Sequence, residues 1–145
     1  MGFTGVVVGG AVTGWALALS VHDIRERRLP NLLTLTGAAV ILAGAAACGR
    51  WPGAPAGSLA LAGLYLVVHL CSPAAMGAGD VKLAVGLGAF TGAFGVGVWA
   101  LAAFGAPVFT AVLGMVSAVR GRGGVVPHGP SMCAASLAAV GLTVF

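Results

Sequence analysis

The chain has 145 residues, of which 59% are hydrophobic and 7% charged, and its mean hydropathy is +1.08. A soluble domain carries about 25% charged residues, so this composition excludes a water-covered globule. It implies instead a single all-α, polytopic membrane bundle over 1–145. The net charge of +4 does not point to nucleic acid, because the basic residues fall in short loops between apolar runs, where they set orientation in a bilayer.

The 25 glycines are far more than soluble helices carry, but they let membrane helices pack closely. Cys48, Cys71 and Cys133 have no C-x-x-C spacing and imply neither a zinc site nor a disulfide framework. Small apolar filler is their expected role.

The first apolar span runs from about Phe3 to Ser20. It lacks the basic n-region and small-x-small cleavage site of a signal peptide. The opening Met1-Gly2-Phe3-Thr4-Gly5-Val6 misses the acylation pattern at Val6. Gly5-x-x-x-Gly9 and Gly10-x-x-x-Gly14 suggest a close helix contact. A polar loop follows, His22 to Asn31, and its Pro30 suits the first turn of a new helix.

The second span is about Leu32–Ala47. After it comes a Pro- and Gly-punctuated loop, Cys48–Gly57, in which Trp51 fits an interfacial aromatic. The third span is about Ser58–Cys71. The loop 72–79 ends at Asp80. The apolar run Val81–Val119 is too long for one span. A turn near Gly92–Gly97 divides it into Val81–Thr91 and Val98–Val119, with Pro107 as an expected kink. A third polar loop, Arg120–Pro130, precedes the sixth span, Ser131–Phe145.

Six spans put the loops 21–31, 72–82 and 120–130 on one face. That face holds Arg25, Arg27, Arg28, Lys82, Arg120 and Arg122, and the opposite face only Arg50. By the positive-inside rule the basic loops face the cytoplasm and both termini face outward. Asp23 and Asp80 then lie at one depth, near the cytoplasmic face.

The chain has only three acidic residues, Asp23, Glu26 and Asp80. A carboxylate at the edge of an apolar span is a functional-site candidate that needs a partner. Two carboxylates in one site do not both ionise readily. One becomes a general base and the other a general acid, a pair suited to hydrolysing a peptide bond through a bound water. Asp23 is the expected partner of Asp80, because Glu26 sits among Arg25, Arg27 and Arg28. Gly77 and Gly79 allow positive φ and close backbone approach, although an ordinary turn with Asp80 as N-cap fits the same residues. His22 and His128 read as loop residues and His69 as a hydrogen-bonded helix residue. No H-x-x-x-H or H-E-x-x-H spacing indicates a metal, and no cofactor is implied.

Three segments resemble the type IV prepilin peptidases, membrane aspartyl proteases of the Gly-x-Gly-Asp class. Asp23-Ile-Arg-Glu-Arg-Arg-Leu-Pro30-Asn31 looks like the family's first motif. Gly77-Ala-Gly79-Asp80-Val-Lys82-Leu looks like its second. Val126-Pro127-His128-Gly129-Pro130 looks like its Pro-Phe-Gly-Pro, with His128 at the aromatic position. Presenilin and signal peptide peptidase share the Gly-x-Gly-Asp element but pair it with a Tyr-Asp motif absent here.

The resemblance implies Asp23 and Asp80 as the catalytic pair. It also implies, as substrate, a pilin-like precursor whose basic leader precedes an apolar helix, cut at the cytoplasmic membrane face. Larger relatives add an N-terminal region with paired cysteines and methylate the new terminus. This chain resembles the short, peptidase-only form. The competing class is a non-catalytic channel, transporter subunit or pilus-assembly scaffold. A transporter would favour internal repeats, and none is evident.

The charge asymmetry predicts a topology. Cysteine-accessibility labelling at positions within 120–126 and within 50–56 reports opposite sides of the membrane. Labelling from one side at both would separate Asp23 from Asp80 in depth.

Overall fold

The computed structural model describes residues 3–144, with side-chain surroundings from residue 8 onward. Met1, Gly2, Phe145 and the surroundings of Gly5 therefore lie outside the described residues. The rest is all-helical: α1 Phe3–Glu26, α2 Asn31–Ala47, α3 Gly53–Cys71, α4 Ala78–Gly92, α5 Val96–Val119 and α6 His128–Val144.

The boundaries differ from the sequence expectation where a helix tolerates what looks like loop. No residue of Val21–Glu26 breaks a helix, so α1 continues past Ser20 and carries Asp23 on a helix rather than in a loop. It stops where Arg27 takes a left-handed φ of 50°. The Arg27 N–H donates to the Asp23 carbonyl at 3.0 Å, and Pro30 then disfavours helix at Leu29. Helix α3 starts at Gly53, ahead of Ser58, and α6 at His128, ahead of Ser131. Pro55 and Pro130 each fall in a first turn, where a missing N–H costs no hydrogen bond. Helix α5 continues through Pro107.

Helix α4 is the centre. Its buried residues include the continuous run Gly86–Gly92, and it packs against α2, α3, α5 and α6. A helix buried all round shows no polar face, and beyond Lys82 α4 is Gly, Ala, Leu and Val apart from Phe90 and Thr91. Its small residues admit the neighbours closely. Gly53 and Gly57 of α3 face Gly88 and Gly92 of α4. A Cβ on Gly92 would stand 2.6 Å from the Gly53 carbonyl oxygen, and one on Gly88 would stand 2.5 Å from that of Gly57. Trp99 of α5 closes this seam by donating Nε1–H to the Gly57 carbonyl at 3.0 Å. Trp15 of α1 fills a notch made by Gly37 and Gly86 and donates to the Leu33 carbonyl at 2.8 Å.

The glycine pairs that pack are therefore Gly53/Gly57 and Gly88/Gly92. The contact expected through Gly9, Gly10 and Gly14 is not made, since a Cβ at any of the three would meet nothing within 4 Å. Gly9, Gly10 and Gly14 fit the same spacing rule as the α3 and α4 glycines, and only the packing partner distinguishes the two sets.

The outer surface is apolar. Leu17, Leu32, Leu59, Leu70, Phe104 and Met115 are among the large hydrophobic residues left exposed, on a scale that a monomer in water rarely shows. Two helices, Gly53–Cys71 and Val96–Val119, are each long and apolar enough to cross a bilayer, and Asn31–Ala47 is a shorter apolar helix. Cys133 is buried as expected of filler, but Cys48 and Cys71 are exposed. Trp51 is exposed.

The α3–α4 seam makes a prediction. Gly88→Leu lowers the thermal midpoint in detergent by an overpacking cost of about 1–3 kcal/mol. Gly9→Ala and Gly10→Ala, in open positions, leave it unchanged or slightly higher. Thermal unfolding of the three variants side by side measures the difference.

Candidate active site

The ends of α1 and α4 and the segments beside them line an open cavity of about 580 Å³. Helix α1 supplies Asp23 and Glu26. The following linker supplies Arg27, Arg28, Leu29, Pro30 and Asn31, and the α4 entry supplies Gly77, Ala78, Gly79, Asp80 and Lys82. Two segments about fifty residues apart in the sequence thus form the walls of one polar chamber. Both aspartates sit in this layer of loops and helix ends, outside the apolar spans 3–20 and 81–91.

Each side chain is held for a local reason. Asp80 occupies the first turn of α4, three residues after the N-cap Gly77, and its Oδ2 accepts the Gly77 N–H at 3.3 Å. The N-cap is therefore Gly77 and not Asp80, and a carboxylate at this position also meets the positive end of the helix dipole. Neither Gly77 nor Gly79 uses positive φ: Gly77 has φ −73°, and the positive-φ glycines are Gly49, Gly95 and Gly121. Gly79 allows close approach: Leu29 lies against it, and a Cβ there would sit 3.3 Å from the leucine side chain. Lys82 reaches across to Asn31, its Nζ donating to Oδ1 at 2.7 Å. The leucine contact and the lysine bond lock the two motifs together. His69 pins the approach to Gly77 through a 2.7 Å contact of Nδ1 with the Met76 carbonyl, in line with its expected role.

Asp23 is 8% exposed. Its Oδ2 accepts the backbone N–H of Gly129 at 3.0 Å, inside the protein. That bond brings the third segment to the site. Gly129 is buried and lies so close that a Cβ on it would be 2.5 Å from Asp23 Oδ2. Pro127 and Pro130 do not line the cavity. They flank the peptide that reaches Asp23.

His128 is not an ordinary loop residue. It is the first residue of α6, and its ring lies between Tyr65 Oη at 2.9 Å from Nε2 and Thr110 Oγ1 at 2.6 Å from Nδ1. Tyr65 and Thr110 went unnoticed in the sequence. The signal was available, since each is a polar group within an apolar span, and Tyr65 is the chain's one tyrosine. His22 lies on α1 with Nδ1 2.9 Å from the Ala18 carbonyl. Glu26 is exposed and forms part of the cavity rim. Among the described residues, no group of three or more His, Cys, Asp and Glu is placed to hold a metal ion.

The two carboxyls differ electrostatically. Asp80 is pushed up to about 6 from the ordinary 3.8, first by burial and then by the charge of Asp23, against a smaller opposing effect of the Gly77 N–H. Asp23 is also raised by burial, but the Gly129 N–H and the Arg27 guanidinium work against that rise. Two carboxyls sharing one cavity and one another's field can hold one proton between them over a range of pH.

A sequence model described as the type IV leader peptidase family matches residues 10–119. The match takes in Asp23, Pro30, Asn31, Gly77, Gly79, Asp80 and Lys82, and ends before Pro127. No curated protein matches the chain, and no solved structure does.

The raised Asp80 carboxyl ties stability to pH. Between 3.8 and about 6 Asp80 binds more protons in the folded protein than in the unfolded chain, so its contribution to stability is fully present below that window and is lost as pH rises through it. Asp80→Asn removes the Asp80 part of this dependence. At pH 8 the variant melts a few degrees above the parent, and at pH 4 the two nearly coincide. Melting curves at both values decide it, and an equal offset at both would contradict the assignment.

Proposed function

The chain belongs to the type IV leader peptidase family, and on that footing we propose that it is an aspartic endopeptidase in which Asp23 and Asp80 hydrolyse the peptide bond behind the basic leader of a pilin-like precursor. The observation that carries this reading is that both aspartates, far apart in sequence, line one cavity, where the charge of Asp23 raises the pKa of Asp80. The apolar outer surface and the basic-loop asymmetry support a six-span bundle with the cavity at the cytoplasmic face and the termini outside.

The chemistry needs one ionised and one protonated carboxyl. The ionised carboxylate takes a proton from a water as the water oxygen bonds to the scissile carbonyl carbon. The protonated partner gives its proton to the carbonyl oxygen, and a tetrahedral diol forms. On collapse, the nitrogen takes the proton held by the first carboxyl and the C–N bond breaks. The second carboxyl recovers a proton from the diol, and both groups return to their starting states. Gly77 and Gly79 let the α4 entry lie close to Leu29 and the cavity. Pro30 and Asn31, with Lys82, keep the opposing wall in register. Pro127, Gly129 and Pro130 deliver the amide that holds Asp23. An apolar substrate helix beside the bundle would stay in the bilayer while its polar leader enters the chamber.

Asp23→Asn and Asp80→Asn each lower kcat by about 10³-fold or more, and the double variant is hardly worse than either, because the pair works as a unit. Glu26→Gln stays within about threefold of the parent, as expected of a rim residue whose loss leaves the pair intact. Cleavage of a pilin-like precursor in detergent, beside a melting curve for each variant, makes the measurement. Near-normal turnover by either folded Asp variant would sink the reading.

A further inference from the structure

The assembly around His128 is more elaborate than a loop anchor requires. Three helices meet at its ring: Tyr65 from α3, Thr110 from α5 and His128 itself from α6. The Thr110 hydroxyl also lies 3.1 Å from the Ala106 carbonyl, to which it donates its single proton. Its oxygen is then an acceptor, so Nδ1 of His128 carries the ring proton and Nε2 accepts from the Tyr65 hydroxyl. A neutral ring satisfies every proton in this chain of contacts.

The consequence falls on the next peptide. The Gly129 N–H belongs to the planar peptide unit that begins at the His128 Cα. Fixing the His128 ring and backbone therefore fixes the direction of that N–H, which meets Asp23 Oδ2 at 3.0 Å. No side chain intervenes, because a Cβ on Gly129 would collide with the carboxylate. A hydrogen bond donated to a carboxylate favours its charged form. Asp80 has a longer backbone contact, 3.3 Å from Gly77.

We propose that His128 is a positioning residue for the dyad: clamped between Tyr65 and Thr110, it holds the Gly129 amide on Asp23, and so makes Asp23 the water-activating base and Asp80 the proton donor. This rests on the aspartic peptidase reading given above. It divides the two roles that symmetry of chemistry leaves open. The charged and titratable groups around Asp23 are Asp80 and Lys82 from the α4 side, Glu26, Arg27 and Arg28 from its own end of the chain, and Cys133 on α6. The Gly129 amide and then Arg27 favour its ionisation. The ring of His128 faces Tyr65 and Thr110, neither of them charged at neutral pH.

The chain has two aspartates, so carboxyl-¹³C aspartate gives two signals, assigned by Asp80→Asn. In the parent protein in detergent, Asp23 ionises at lower pH than Asp80. His128→Ala, and the milder Tyr65→Phe and Thr110→Val, bring the two titrations together. In the cleavage assay the same variants lower kcat about tenfold with KM little changed, and the acidic limb of the pH profile moves to higher pH while the alkaline limb stays. A parent in which Asp80 ionises first overturns the division of roles. Folded variants that keep the parent's titration order and profile overturn the clamp. A parent that titrates as described but cuts no precursor leaves the clamp standing and removes the peptidase reading instead.

Discussion

A carboxylate withdrawn from water needs a donor, and in this protein Asp23 finds one 106 residues along the chain, in the backbone N–H of Gly129. Leaving that group buried and unpaired would cost on the order of 1–3 kcal/mol or more. The bond ties the last turn of α1 to the first turn of α6. It also accounts for the glycine, since any side chain there would occupy the space of the carboxylate. The ring of His128 and its two partners hold the same peptide from the other side. Much of the polar architecture serves to keep one amide pointed at one oxygen.

The second half of the site depends on how closely the helices approach. Helix α4 carries Asp80 on its first turn and is buried continuously from Gly86 to Gly92. It holds that place because its glycines admit α3 at backbone distance, and because Trp15 and Trp99 fill the wider gaps while donating to carbonyls of neighbouring helices. The indole bonds matter in an apolar surrounding, where an unpaired N–H is costly. Placement of Asp80 is thus a packing result, and the Leu29–Gly79 contact and the Lys82–Asn31 bond transmit it to the opposite wall.

Between them the two walls create an asymmetric pair. Burial raises both carboxyls; the charge of Asp23 raises Asp80 further, while the Gly129 amide and Arg27 oppose the rise at Asp23. A difference in surroundings between two carboxyls in one chamber is the usual basis for dividing acid and base roles. The family match covers both aspartates, and the geometry adds what a sequence match does not contain, namely which groups surround each.

The sequence by itself determined the helical, apolar character of the chain, five interhelical breaks close to their observed places, and Asp23 and Asp80 as the pair to watch. These follow from local properties: runs of apolar residues, proline and glycine punctuation, and the scarcity of carboxylates. Helix ends were less legible, because a proline in a first turn and a polar residue in a last turn look like loop. Tertiary structure alone decided which glycines pack, since Gly9 and Gly57 sit in equivalent patterns and only one faces a partner. It decided that Gly79 serves contact with Leu29 rather than positive φ. It also decided that His128 is clamped by Tyr65 and Thr110. The physical reason is common to all three: each depends on what a distant segment places opposite the residue, and no spacing within one segment carries that information.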